Sequence, residues 1–417
     1  MLASEEQQSA MRLTANRRFS FSASRRLARS EWPEAENERV YGAGGEGAWG
    51  SGENYEAFFV LGGEVDARTG LLVNLAEIKR RLGPVIEARY DHRFLNLDSP
   101  PFDTLSPTPE NVARRLLTEA RATCGDLAVG PLACHLRESA ATAATAYASG
   151  TVERDSSVRF SAARRTYSPH LSDAENVELF GRAASPAGHG HGYRLRVTLQ
   201  GEPDERFGLI APHAEVSAAL AAVRDRLDHR NLAVEVPELA GEPLTTESLA
   251  RLIYCQLARR LPVARVRLNE TPEFFAEFDG KEVGLGLERS FSAAHRLRVT
   301  RLSEEENRAL FGRCANPNGH GHRYTVQATV AAPYDARSGT VFRLDRLDAA
   351  LGASLARWDR RHLDLETDDF RDTPSTGENL LLRLFPRLDH LLDGTLSRLR
   401  LFETANNRFT LRKEARD

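Results

Sequence analysis

Hydrophobic and polar positions alternate over several short stretches of the chain, a pattern that predicts β-strands. In HRYTVQATVAA, Val326, Ala328 and Val330 alternate with polar residues, so the apolar side chains share one face of a strand. Two later stretches, RLDRLDAALGASLARW and TGENLLLRLFPRL, place their apolar residues at the spacing of amphipathic helices. The stretches LSRLRLFE and NRFTLRK predict two closing strands. With the strand that precedes this region, the predicted order is ββααββ.

This pattern occurs three times, because three short motifs recur at matching intervals. The first motif reads RFSFSASRRL, VRFSAARRT and RSFSAAHRL, and the second reads YDHRFLNLD, LDHRNLAVE and WDRRHLDLE. A third motif carries Glu138, Glu270 and Glu403, which are 132 and 133 residues apart. So long an interval indicates three copies of a whole domain rather than a solenoid. The expected domains are residues 1–150, 151–282 and 283–417.

An antiparallel sheet that is covered by helices on one face keeps two open edges, which favour aggregation. Three copies in one chain can remove these edges by closing their sheets into a ring. We therefore predict an α+β fold in which three tandem ββααββ domains form one pseudo-threefold antiparallel β-barrel with the helices outside. The stretches AYASGTVERDSS and FDGKEVGLGLE are expected to be the linkers, because they combine Gly, Ser and charged residues.

Composition and charge narrow the class of protein. The chain of 417 residues is 41% hydrophobic and 28% charged, which is typical of a folded protein with two or three cores. Its formal net charge is −3 and its arginines are scattered without a stripe, so we expect no nucleic-acid and no membrane partner. The polar N-terminal stretch resembles no secretory signal, and no apolar run approaches the roughly 20 residues of a membrane span. The expected location is cytoplasmic.

One stretch combines metal-ligating side chains at close spacing. In GRCANPNGHGHRY, His320 and His322 lie two residues apart where a strand begins, so both imidazoles leave the same face. An H-x-H pair can also be exposed or hydrogen-bonded without metal, but His295 ends the neighbouring predicted strand. Three histidines without a fourth protein ligand are typical of a catalytic zinc with an open position, so we expect Zn²⁺ here. Cys314 lies in a Gly/Asn/Pro loop, where a nearby dication would stabilise its thiolate.

These residues also carry a resemblance to a known family. LSEEENRALFGRCANPNGHGHRYTVQATV, PSTGENL and ETANN resemble the 6-pyruvoyl-tetrahydropterin synthase family, and the three repeats extend the resemblance over nearly the whole chain. The resemblance implies the tunnelling fold, in which three ββααββ units close one ring and two rings can stack, here as a homodimer. It also implies a zinc-dependent lyase of tetrahydropterin biosynthesis, which eliminates triphosphate from 7,8-dihydroneopterin triphosphate without a redox cofactor.

The resemblance assigns roles to positions, and each repeat departs from the family pattern. In the family, three histidines bind zinc, a cysteine accepts a proton, an Asp-His pair with a glutamate relays protons, and the glutamate anchors the pterin. The third repeat keeps the histidines, Cys314 and Glu403 but reads Asp359-Arg360 for the pair. The second repeat keeps Asp228, His229, Glu270, His189 and His191 but has Arg164 and Ala183 in place of a zinc histidine and the cysteine. The first repeat keeps Asp91, His92 and Glu138 but has Arg25, Ser51 and Glu53 at the ligand positions.

Family sites lie between subunits, so a complete site here is expected to combine two repeats. We favour a catalytic set of Cys314, Asp228, His229 and Glu270, because the defective halves of the first and third repeats would then face each other. Asp91, His92 and Glu138 are the alternative relay, and the direction of packing around the ring decides between them. The substrate-binding residues that the resemblance implies are Glu403, Thr376, Glu378, Thr246 and Glu247.

Two other functions stay open. The related 6-carboxytetrahydropterin synthase of queuosine biosynthesis uses the same ligands and substrate. Its loop between the cysteine and the histidine pair is expected to be shorter, whereas five residues separate Cys314 and His320 here. A non-catalytic pterin-binding or assembly protein would explain the arginines that replace histidines. The intact metal half of the third repeat argues against such a binder, which would not need it, and the length of the loop favours the pyruvoyl enzyme over the carboxy enzyme.

Overall fold

The computed structural model describes residues 11–45, 49–127 and 129–414, and its elements follow the three repeats. The first repeat contains β1 (Met11–Arg25), α1 (Glu34–Tyr41), β2 (Ser51–Gly62), α2 (Leu75–Arg89), β3 (Arg93–Phe94), α3 (Leu95–Asp98), α4 (Pro109–Cys124), β4 (Pro131–Arg137) and β5 (Thr142–Tyr147). The second contains β6 (Val152–Arg164), α5 (Asp173–Phe180), β7 (His189–Gln200), α6 (His213–Leu227), β8 (Arg230–Asn231), α7 (Thr246–Leu257), β9 (Val263–Asn269) and β10 (Phe274–Phe278). The third contains β11 (Val283–His295), α8 (Glu304–Phe311), β12 (His320–Ala331), α9 (Leu344–Ala356), β13 (Arg361–His362), α10 (Leu363–Glu366), α11 (Gly377–Leu391), β14 (Leu396–Phe402) and β15 (Asn407–Lys413).

The predicted ββααββ order describes the long elements of each repeat, and each repeat adds smaller ones. A short helix lies between the first two long strands, and a two-residue strand follows the next helix. The short helices α5 and α8 are N-capped by Ser172 and Ser303, each of which forms a capping box with a glutamate three residues later. None of the helices in the described ranges combines the length and apolar character that a membrane crossing needs.

The long strands form one antiparallel sheet that closes on itself as a ring. Neighbouring strands follow the order β1, β2, β4, β5, β6, β7, β9, β10, β11, β12, β14 and β15. β15 then pairs with β1, and β10 pairs with β11, so the first and third repeats meet and none of the long strands in the described residues has a free edge. The fold is therefore mixed α and β with one large ring-like sheet, as the sequence predicts.

The two expected linkers are hairpin turns within this sheet. Residues 148–151 join β5 to β6, which pair along their length, and Gly150 has a φ of 97° in the turn. Residues 279–282 join β10 to β11, and the Asp279 carboxylate accepts hydrogen bonds from the backbone of Lys281 and Glu282. Adjacent repeats are thus hydrogen-bonded neighbours and not domains on flexible connections.

The apolar side of the sheet packs against the helices. The first and third repeats share one continuous core, which includes Tyr55 and Leu116 of the first repeat and Trp358 and Leu401 of the third. The second repeat has a separate core around Tyr193. Full burial of one such side chain stabilises the fold by about 1.5–3 kcal/mol. The shared core therefore ties the two ends of the chain together.

The opposite side of the sheet faces the lumen of the ring and is strongly basic. Alternate residues on each strand point inward, and strand sequences such as RLR and RVR put two arginines on that face. The inward arginines of the strands are Arg12, Arg18, Arg137, Arg159, Arg194, Arg196, Arg265, Arg267, Arg323, Arg398, Arg400, Arg408 and Arg412. The inward carboxylates are Glu56, Glu153, Asp155, Glu277 and Glu288. The prediction that arginine forms no stripe is wrong, because the closed register collects these residues from separate strands.

Contacts across strands show how the lumen is packed. Arg398 on β14 donates a 2.7 Å hydrogen bond to Glu277 on β10, although two other strands lie between them. Gly286 on β11 lies beneath Phe275, and a Cβ atom added there would lie 1.9 Å from the Phe275 ring. The Arg267 guanidinium stacks over the same ring at 3.4 Å. Glycine at position 286 therefore makes room for the groups that join β10 to β11.

Replacing Gly286 with alanine tests this closure. We expect Gly286→Ala to lower the free energy of unfolding by about 1–3 kcal/mol, because Phe275 must move away from the new methyl group. Gly352→Ala is the matched control, since no atom lies within 4 Å of its Cβ position on helix α9. The control should stabilise the protein by up to about 1 kcal/mol through helix propensity. Equal urea unfolding curves for the two variants would contradict the close contact.

Candidate active site

Three histidines converge where β11 ends and β12 begins. His295 stands directly opposite His320 in the antiparallel register, and His322 follows two residues later on the same face. Ring nitrogens of the three side chains lie within 4.8 Å of one another. The Nε2 atoms of His295 and His320 are 3.1 Å apart. The structure therefore brings together the three ligands that the sequence predicts.

The surroundings of His295 prepare it to bind a metal. Its ring is buried, and its Nδ1 lies 3.2 Å from the Ser375 carbonyl oxygen, which accepts the proton and leaves the Nε2 lone pair facing the cluster. Burial, with a smaller effect of His320, lowers the pKa of His295 to about 3. Burial also lowers the pKa values of His320 and His322. Neutral imidazoles are the form that a zinc ion requires, so this donor set fits the expected metal.

Cys314 and Glu403 belong to the same site. Cys314 is half-buried and packs against a small apolar cluster that includes Val299 and Phe311, and Leu71 of the first repeat packs against the same cluster. Burial and then the Glu403 carboxylate raise the pKa of the Cys314 thiol. Burial likewise raises the pKa of Glu403, against a smaller effect of the Asn407 amide, which donates a 3.2 Å hydrogen bond to it. A bound dication would offset both effects by stabilising the thiolate and the carboxylate.

The first repeat closes the site of the third. Thr376 caps helix α11 and donates a 2.7 Å hydrogen bond to the Gly70 carbonyl. Two residues later, the buried Glu378 carboxylate accepts a 3.1 Å hydrogen bond from the Leu72 amide. Two of the residues with a predicted role in substrate binding are thus also inter-repeat contacts, because their side chains reach the loop before α2.

The same contact recurs at the other two junctions and fixes the direction of packing. Thr108 of the first repeat donates to the Gly208 carbonyl of the second at 2.6 Å. Thr245 of the second donates to the Gly339 carbonyl of the third at 2.5 Å. The histidine cluster therefore faces the first repeat. This direction is opposite to the one that favoured the second repeat as the source of the relay.

The Asp-His pairs are held on the surface of their own repeats. Asp91 accepts a 2.9 Å hydrogen bond from the Ser22 amide and lies 2.9 Å from His92 Nδ1. Asp228 makes the corresponding contacts with the Ser161 amide at 2.7 Å and with His229 Nδ1 at 3.0 Å. Each carboxylate thus binds a backbone amide of a strand and orients the imidazole of the adjacent histidine. The imidazoles are 84% and 82% exposed, respectively.

The exposed pairs also lie far from the neighbouring repeat. Asn74 precedes helix α2 and donates a 3.0 Å hydrogen bond to the Leu310 carbonyl of the third repeat. His92 follows the other end of this helix, which has 15 residues and spans about 22 Å at 1.5 Å per residue. His92 therefore lies at the opposite end of α2 from the third-repeat site. His229 has the equivalent position after α6.

Buried ion pairs lie at the equivalent positions of the other two repeats. In the second repeat, Arg164 and Thr246 both hydrogen-bond to Glu270, and His191 Nε2 lies 3.0 Å from the other carboxylate oxygen. Burial would raise the pKa of Glu270, but Arg164 and the histidines hold it well below its usual range. In the first repeat, Arg25 pairs with Glu138 in the same way. Spacing alone did not predict these pairs.

These contacts place Glu270 away from Cys314. It lines a cavity of about 1000 Å³ between the second and third repeats, together with Glu247, Phe274 and Phe342. The glutamate beside Cys314 is Glu403. The predicted combination of Cys314 with Glu270 is therefore not assembled within one ring, because each glutamate stays with the strands of its own repeat.

Fold and site together define a class of tandem-repeat proteins in which one closed sheet carries a histidine cluster where two strands meet. The family model for 6-pyruvoyl tetrahydropterin synthase matches residues 14–148, 154–281 and 285–414. The chain therefore belongs to the 6-pyruvoyl tetrahydropterin synthase family and contains three copies of its unit.

Individual relatives match one unit at a time. The chain is 42% identical over 120 residues to 6-pyruvoyl tetrahydrobiopterin synthase of Pongo abelii, a match that covers 28% of this chain and 83% of that protein. It is 41% identical over 120 residues to the Homo sapiens protein of the same name, with the same two coverages. The solved structure of Caenorhabditis elegans 6-pyruvoyl tetrahydropterin synthase is 36% identical, with a TM-score of 0.31, and covers 32% of this chain and 96% of that one.

Metal content should separate the third-repeat cluster from the second. We expect about one tightly bound zinc ion per chain, because Arg164 places a positive charge beside the second group of His189, His191 and Glu270. His320→Ala should remove most of the metal after dialysis. His189→Ala, the same change at the equivalent position, should leave the content unchanged. Elemental analysis that finds two or three ions per chain would contradict this assignment.

The buried Glu378 should make stability depend on pH. Burial raises its pKa to about 7, so its contribution is fully present below the unfolded value of 4.5 and is lost as pH rises through 7. Glu378→Gln keeps an oxygen acceptor for the Leu72 amide. The variant should therefore be about 3 kcal/mol more stable than the wild type at pH 8 and similar at pH 5, by urea unfolding. Exposed Glu305→Gln is the control and should follow the wild-type pH profile.

Proposed function

We propose that this protein is a zinc-dependent 6-pyruvoyl tetrahydropterin synthase that acts on 7,8-dihydroneopterin triphosphate. It would be a carbon–oxygen lyase, because the reaction eliminates triphosphate. The observation that carries the proposal is the cluster of three histidines in the third repeat, and the electrostatic interactions of Glu403 with His320 and with Cys314 support it. Membership of the family supports the same activity.

The side chains of the third repeat have distinct roles in this proposal. His295, His320 and His322 would hold zinc, which supplies Lewis-acid stabilisation of negative charge on a substrate oxygen. Cys314 accepts the proton that leaves a substrate carbon, since Glu403 interacts electrostatically with both its half-buried thiol and His320. Glu403 accepts hydrogen bonds from the N–H groups of the pterin, because one carboxylate can receive two donors at once.

We further propose that the relay histidine comes from a second copy of the chain. The support is the exposure of His92 and His229 and a set of exposed apolar residues near them. Leu97, Val234 and Leu365 each lie six residues after the aspartate of their pair, and they are 69%, 78% and 80% exposed. Large apolar side chains at matched positions favour burial against a partner.

A second ring is the partner that fits this surface. The surface repeats in all three units, so we propose that each chain is the pseudo-threefold equivalent of a trimer. Two such chains then stack through this same face as a symmetric dimer. The Asp-His pair of one chain then completes the Cys314 site of the other. Either His229 or His92 can serve as the relay in this arrangement, and Arg360 removes the third candidate.

Mixing two inactive variants tests the activity and the shared site together. Wild-type protein with zinc should convert 7,8-dihydroneopterin triphosphate to the pyruvoyl product, identified by mass. Cys314→Ala should lower turnover by at least about 10²-fold, as should the double variant His92→Ala/His229→Ala. After the two variants are mixed, unfolded and refolded together, activity should return, because mixed dimers contain one complete site.

The controls separate the two parts of this proposal. The refolded Cys314→Ala protein alone should stay inactive, and both variants should keep wild-type zinc content. A carboxylated product would replace the pyruvoyl assignment. Full activity in the double variant would contradict the relay from a second copy. It would leave His362, whose Nδ1 lies 3.9 Å from Asp364, as the candidate relay within the third repeat.

A further inference from the structure

The lumen of the ring carries a charge imbalance that the proposed activity does not use. Among the strands of the described ranges, 13 inward arginines face 5 inward carboxylates, an excess of eight positive charges. The whole chain, in contrast, has a formal net charge of −3. We propose that the lumen binds a small polyphosphate anion, such as inorganic triphosphate, through arginines of all three repeats. This inference does not depend on the proposed function.

The strand register places like charges directly opposite one another. Arg196 faces Arg267, and Arg159 faces Arg194. Arg412 faces arginines on both of its neighbouring strands. Like charges directly opposite each other destabilise a sheet, so these arginines repel one another unless an anion lies between them. An anion between these side chains would remove that repulsion.

Arginines of different repeats converge on one space. The Arg400 guanidinium of the third repeat interacts electrostatically with Arg267 of the second, and Arg408 interacts with Arg137 of the first. Burial and these neighbouring charges lower the pKa of Arg400 to about 9 and of Arg408 to about 10. Some lumen arginines pair with the inward carboxylates, as Arg398 does with Glu277, but no salt bridge in the described part of the chain includes Arg400 or Arg408.

Unused hydrogen-bond donors accompany the unmatched charge. In the described part of the chain, the buried Nε atoms of Arg398 and Arg408 have no hydrogen-bond partner. Glu277, the carboxylate beside Arg398, is already held by arginines that lower its pKa to about 2, against the opposing effect of burial. Donors of this kind normally bind an acceptor when they are buried. The lumen thus has both charge and donors available for an anion.

The number and geometry of these groups favour a polyphosphate over a single phosphate. A guanidinium presents a planar fork of donors that matches phosphate oxygens, and several forks can bind successive phosphate groups. A single phosphate would neutralise only about two of the eight excess charges. Free phosphate, inorganic triphosphate and a nucleoside triphosphate share the relevant chemistry, so the experiment compares all three.

Calorimetric titration of the zinc-loaded full chain tests the proposal at constant ionic strength. Sodium triphosphate should bind with a dissociation constant at least tenfold lower than that of phosphate. Adenosine triphosphate distinguishes a site that also admits a nucleoside. The double variant Arg267→Gln/Arg400→Gln should weaken triphosphate binding by at least tenfold, because two charged hydrogen-bond donors are lost. Exposed Arg121→Gln on helix α4 is the matched control and should bind as the wild type does.

Two further measurements separate lumen binding from metal chelation and test the repulsion between arginines. Triphosphate also chelates metals, so His295→Ala should keep lumen binding although its metal site is lost. Without any anion, the double variant should unfold at a higher temperature than the wild type, because repulsion between arginines is reduced. Equal triphosphate affinity of the wild type and the double variant, or loss of binding in His295→Ala alone, would overturn the proposal.

Discussion

Closure of the sheet is the constraint on which the rest of the structure depends. Pairing of β15 with β1 and of β10 with β11 leaves the long strands without free edges, so the fold avoids the edge-to-edge association that open sheets invite. In a ring of identical subunits all junctions must have the same sequence. Three fused units remove this restriction, so one junction can keep its histidines while the others change. The distribution of His295, Arg164 and Arg25 at the same position in the three units follows from that freedom.

The Arg–Glu pairs show how the two changed sites remain compatible with the fold. Glu270 and Glu138 are buried, and a buried carboxylate without a partner is costly. The arginine that replaces the first histidine of each unit supplies the missing positive charge. Removing one member of such a pair typically costs about 3–5 kcal/mol, whereas the pair itself contributes little net stability. These sites therefore have a local ion pair where the third repeat has a histidine, and the strands keep the same register.

Local features were predictable from the sequence, and relations between distant strands were not. Period-two alternation gave the strand that carries Val326, and recurrence of the F-S-A motif gave the three units. The H-x-H spacing placed His320 and His322 on one face. Ring direction depends on the contact of Thr376 with Gly70, 306 residues away, and no local pattern encodes that partner. The basic lumen was missed for a related reason, because RLR and RVR stretches become one surface only after the register is known.

The shared core of the first and third repeats has a consequence for how the chain folds. Arg17 donates a hydrogen bond to Asn407, 390 residues later, and the core beneath β1 is completed by the third repeat. During synthesis, one edge of β1 therefore stays unpaired, and the core beneath it stays incomplete, until β14 and β15 emerge from the ribosome. Such long-range pairing slows folding and leaves a partly made chain open to misassembly. Fusion of the units thus replaces assembly of separate subunits, which depends on their concentration, with a single closing event whose timing is set by translation.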